Sequence, residues 1–89
     1  MKTYLIGYDL NAPGQDYAEL IKTIKSFKAW CHCLDSTWIV RSSLDAAQVR
    51  DKLLKQLDSN DELIVVDLVG NGAWYGFTTK VTKWLKSNL

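Results

Sequence analysis

What this chain lacks narrows its function before any motif is read. It has no surplus of either charge: Lys and Arg total 11, Asp and Glu total 10, and the formal net charge is +1. Nucleic-acid binders usually carry a basic excess, so such a role must rest on a local patch or on an oligomer. No apolar run approaches the roughly 20 residues of a membrane helix. The apolar start is short and ends in Asp9, unlike a signal peptide. A cytoplasmic protein with no membrane partner is expected. Sulfur and imidazole ligands are scarce too, with 2 Cys and 1 His. A closed zinc site takes four ligands, and strand alternation turns His32 away from Cys31 and Cys33. A disulfide between strand positions two apart would be strained, so the cysteines read as buried free thiols. Repeats, low-complexity stretches and linkers are absent, and Gly70-Asn71-Gly72 lacks the spacing of a phosphate-binding glycine loop.

What is present is one small globular unit, 47% hydrophobic and 24% charged. Lys2 to Leu10 is nearly continuous apolar and aromatic sequence, the pattern of a strand buried on both faces. After Pro13-Gly14, apolar residues at Tyr17, Leu20, Ile21, Ile24 and Phe27 mark one helical face, predicting a helix from about Gln15 to Lys28. Trp30–Leu34 and Thr37–Arg41 flank Asp35-Ser36 as a hairpin. A second helix carries Ala46, Val49, Leu53 and Leu57, with Ser42 and Asp45 as an approximate capping box and Ser43 as an alternative cap. Leu63–Val69 is the second continuous apolar run.

This order predicts an α+β, ferredoxin-like βαββαβ sandwich. The two apolar runs are expected to pair in parallel at the sheet centre. The division is a domain of residues 1–70 and a C-terminal extension of 71–89, packed on the domain or on a dimer partner. The extension opens with a short strand or loop and ends in a short helix bearing Val81, Trp84, Leu85 and Asn88 on one face.

With both helices on one side of the sheet, the other side is expected to be open. An ionised Asp9 avoids the helix side, and alternation brings Leu5 and Gly7 with it. The same argument places Asp67 with Leu63 and Val65, and Arg41 with Ile39, with Asp67 and Arg41 in pairing range. Bare apolar sheet of this kind wants a partner. A homodimer is therefore expected, its interface drawn from Leu5, Ile39, Val65, Trp74 and Tyr75.

Asp9 is the candidate catalytic and metal-ligating residue. At a strand end it either holds a magnesium ion that activates water against a phosphodiester, or caps the turn by accepting amides around Asn11 to Gly14. His32 is either a general acid–base group or structural. Lys80, Lys83 and Lys86 form a basic stripe, either a phosphate track or a solvated helix face. The 4 tryptophans invite base stacking, but the glycine–aromatic signature of RNA-recognition sheets is missing and core packing explains most of them.

Tyr4-Leu-Ile-Gly-Tyr-Asp-Leu10, Leu34-Asp-Ser-Thr-Trp38 and Gly72-Ala-Trp-Tyr-Gly-Phe77 resemble a bacterial group labelled SinR-like. That group stands beside the second CRISPR-associated (Cas) protein family, whose fold and Tyr-Asp strand end the chain also resembles. The resemblance implies a homodimer with strand-end aspartates facing across a cleft, which in some relatives bind metal and cleave RNA or DNA. Only Asp9 carries over by position. The chain departs from the family just afterwards, having Asn11-Ala-Pro-Gly-Gln15 where an arginine-bearing segment is common. Two functions follow: a magnesium-dependent endonuclease using Asp9 from both chains, or a non-catalytic dimeric module that binds nucleic acid or protein.

Overall fold

The computed structural model describes residues 1–12 and 16–89. The elements run β1 (Lys2–Asp9), α1 (Ala18–Lys25), β2 (Ala29–Leu34), β3 (Thr37–Ser42), α2 (Ala46–Leu54), β4 (Glu62–Leu68) and α3 (Thr79–Asn88). The turn at Pro13-Gly14 and the expected helix start at Gln15 lie outside the described residues. The strands form one antiparallel sheet in the order β2-β3-β1-β4. This is the α+β arrangement expected of a ferredoxin-like fold, extended by a C-terminal helix.

The expected parallel pairing of the first and last strands is corrected: β4 pairs antiparallel with β1 and lies at the sheet edge. The reason is directional. A helix crossover returns the chain to its starting end, so β4 must run with β3. The β3 strand is itself antiparallel to β1, and β4 inherits that sense.

Alternation along β1 buries Tyr4, Ile6 and Tyr8 under α1 and α2 with Leu20, Ile24, Val49 and Leu53. Trp38 and Val40 of β3 complete that core. Trp38 is fully buried and its indole nitrogen donates to the Tyr8 hydroxyl at 2.9 Å, which satisfies the one polar atom the ring brings inside. Tyr4 does the same by donating to the Leu44 carbonyl at 2.6 Å.

Both helices are shorter than their apolar stripes. At the end of α1 the amides of Ser26 and Phe27 turn back to the carbonyls of Thr23 and Ile24. The cap of α2 also moves. Asp45 itself is the N-cap, accepting the Gln48 amide at 2.8 Å while the Gln48 side chain accepts the Asp45 amide at 2.9 Å. Ser42 cannot serve as the cap because it is still in β3, buried, where its hydroxyl oxygen accepts the Leu44 amide.

The second sheet face is not bare. The α3 helix lies across it, anchored by Leu85 at 1% exposure and by the Thr3 hydroxyl donating to the Asn88 carbonyl at 2.7 Å. Its N-cap is Thr78, whose hydroxyl accepts the Val81 amide. Residues 70–77 reach it as a loop rather than a strand. Gly70 and Gly76 hold φ of 90° and 84°, left-handed values that a side chain would strain. The extension therefore packs on its own domain. Among the described residues no helix is long and apolar enough to cross a membrane.

Candidate functional site at the second sheet face

Asp9 is exposed on the second face, where its neighbour across the strands is Glu62. They border an open concavity of about 450 Å³ that also takes in Gly7, Ser36, Thr37 and Ile64. Like charges directly opposite each other destabilise a strand pair, so a cation held there would relieve a cost built into the sheet. Among the described residues the Asp9 carboxylate accepts no hydrogen bond; the Asp9 backbone carbonyl accepts the Asn11 side-chain amide at 3.5 Å, and the backbone amide of Asn11 goes elsewhere.

That amide goes to Asp61, the last residue before β4. The Asp61 carboxylate accepts the Asn11 and Asp58 amides, each at 2.8 Å, and the Tyr17 hydroxyl at 2.7 and 2.9 Å. Asp61 ties the end of β1 to α1 and to the start of β4. Burial works against ionisation of Asp61, but the two amides and the tyrosine outweigh it and hold its carboxyl below the ordinary range. The same contact, after burial, raises the Tyr17 phenol. A clue lay in the Asp58-Ser-Asn-Asp61 spacing, which is that of a turn whose last carboxylate closes on its first amide.

The facing assigned to β4 is also corrected. Leu63, Val65 and Asp67 lie opposite Tyr8, Ile6 and Tyr4, hence on the helix side. Val65 packs against the core and so does not belong on the open face. Asp67 tolerates that side because it sits where the helix layer ends, and it pairs with Lys2 at 3.2 Å rather than with Arg41. The Lys2 ammonium is raised by that hydrogen bond and charge. Arg41 instead donates to the Met1 carbonyl at 3.4 Å. On the second face β4 shows Ile64 and Val66, which are 57% and 39% exposed.

Leu5 is half-buried and Ile39 buried on the second face, both bordering an apolar cavity of about 400 Å³ closed by the 70–77 loop and α3. Trp74 is half-buried in its wall, its indole nitrogen donating to the Thr82 hydroxyl at 3.2 Å. Tyr75 is 98% exposed. Lys80, Lys83 and Lys86 are exposed along α3. His32 lies flat on Trp38, with ring centroids 3.7 Å apart, and its Nε2 meets the Asp35 carbonyl at 3.1 Å. It acts as a cover for the Trp38 ring at the sheet's other edge.

Among the described residues no three acidic, His or Cys side chains are grouped to hold a metal. A magnesium ion keeps several waters and takes one or two carboxylates, the number that Asp9 and Glu62 bring side by side. No family model matches the chain, and neither the curated proteins nor the solved structures compared with it yield a match.

Proposed function

We propose that the chain works as a Cas-two-like homodimeric module, two copies joining along β4 to present a shared surface for nucleic acid or protein. The observation that carries this reading is the edge itself. β4 pairs only with β1 among the described residues, and its register is unbroken from Glu62 to Leu68. It contains no proline or lysine to discourage pairing. Two-fold pairing centred on Val65 sets Ile64 opposite a second copy's Val66, covering apolar surface on both chains. Light scattering tests it: wild type should run as a dimer, and Ile64→Lys with Val66→Lys as a folded monomer. A wild-type monomer at micromolar concentration overturns it. Loss of binding to single-stranded RNA or DNA in a Lys80, Lys83 and Lys86 triple-alanine variant would identify nucleic acid as the partner.

The second reading is a metal-dependent endonuclease, favoured by the exposed Asp9 carboxylate, which accepts no hydrogen bond among the described residues, and by its Glu62 neighbour. When bound, magnesium would supply a water of lowered pKa and charge neutralisation at the phosphate; Asp9 and Glu62 would hold it. Calorimetry with magnesium or manganese decides. Binding lost in Asp9→Asn and Glu62→Gln, with the fold intact, makes cleavage assays the next step, and no binding to wild type removes this reading.

A further inference from the structure

Cys31 and Cys33 take no part in either reading. On a regular strand, residues two apart stand nearly 7 Å from each other, by roughly 3.4 Å per residue. Here the β2–β3 register breaks between His32 and Leu34, and the two sulfurs converge to 3.0 Å. Cys31 is buried and Cys33 half-exposed. Cys33 lines the 400 Å³ cavity beside Ile39, Trp74, Leu85 and Leu89.

We propose that this pair is a dithiol chelate for a trivalent organoarsenical, whose organic substituent occupies the adjoining apolar cavity. The geometry separates this centre from other thiophilic ones. A linear two-coordinate ion needs its sulfurs on opposite sides, roughly 4.6 Å apart for a bond of about 2.3 Å, and two side chains rising together from one strand face do not provide that. A tetrahedral zinc ion asks for two further ligands, and among the described residues none is grouped with the pair. A pyramidal trivalent centre needs only two sulfurs on one side and one other substituent. It is also neutral once bound, as an apolar cavity requires.

The step balances without an oxidant. R–As=O plus two S–H groups gives R–As(S)₂ and one water: two As–S bonds form, the arsenic–oxygen bonds break, and both thiol protons leave on that oxygen. Arsenic stays trivalent. Burial, reinforced by the hydrogen bond to Cys31, pushes the Cys33 thiol up to about 12. Disulfide exchange and arsenic capture, which both proceed through thiolate, are slowed alike by this, and in capture both thiol protons end on the leaving oxygen.

The probe is phenylarsine oxide, with its methyl counterpart as comparison, read by native mass spectrometry under glutathione competition. Wild type should take up one phenylarsenic per chain. It should hold it at about 100-fold more glutathione than Cys33→Ser or Cys31→Ser, since the second sulfur binds intramolecularly. Phenyl should be retained better than methyl, and filling the cavity should change Trp74 fluorescence. Cys33→Ser alters a half-exposed position and keeps the fold, as circular dichroism would verify. Equal retention by that variant and wild type overturns the chelate, and equal retention of methyl and phenyl overturns the role of the cavity.

Discussion

Leu85→Ala tests whether α3 is part of the folded unit or an appendage. Leu85 is 1% exposed, pinned between α3 and the second sheet face. Truncation removes three carbons, about 2.4 kcal/mol at ~0.8 kcal/mol per methylene. A cavity penalty normally lifts such losses into a range of about 2–5 kcal/mol. Leu85 already borders open space of about 400 Å³, so the new void adds little lost packing and about 2–3 kcal/mol is expected. That is a large share of the roughly 4–13 kcal/mol available to a chain of this size. In equilibrium urea unfolding, followed by circular dichroism, the midpoint should fall by about 1 M with the slope unchanged. Leu54→Ala is the control: it is 48% exposed and should stay within about 0.5 kcal/mol of wild type. If Leu85→Ala matched that control, α3 would not be docked in solution and the second face would be as open as the strand pattern implied.

Three further outcomes follow from the geometry. Asp61 has a lowered folded-state pKa, so its contribution is present above the unfolded value near 4 and is lost as pH falls through the folded value. Thermal melts should therefore show wild type losing its advantage over Asp61→Asn on acidification below about pH 4, and parallel curves down to pH 2 would refute the role given to this carboxylate. Tyr8→Phe strands the buried Trp38 indole donor and should cost about 1–3 kcal/mol, read as a melting point lower by about 4–8 °C per kcal/mol. Asp45→Ala removes the α2 capping box and should cost about 1 kcal/mol in urea unfolding; no change would mean that Ser43 can cap in its place.

Element types were legible because they follow from local periodicity. The 3.6-residue spacing of Leu20, Ile24 and Phe27 and the alternation of Tyr4, Ile6 and Tyr8 write the core directly into the chain. The facing of β4 was not legible, because Leu-Ile-Val-Val offers no polar alternation and the one charge within the apolar run, Asp67, pointed the wrong way. A strand-end carboxylate escapes the helix layer by position and pairs with Lys2, so its charge says nothing about which face it shares. Asp9 was legible as an exposed strand-end acid, and its neighbour Glu62 was not, since that pairing depends on register across 52 intervening positions.

By itself the sequence determined the strand and helix content, the α+β class and the burial of Tyr4, Ile6 and Tyr8, all consequences of which side chains can leave water along a short stretch. Only the tertiary structure decided that β4 is an antiparallel edge, that Asp61 takes the Asn11 amide, that two thiols meet, and that α3 covers part of the second sheet face. Each of these brings together groups distant in the chain or departs from ideal strand geometry. Their energies are settled by register and packing of the whole, which no local pattern encodes.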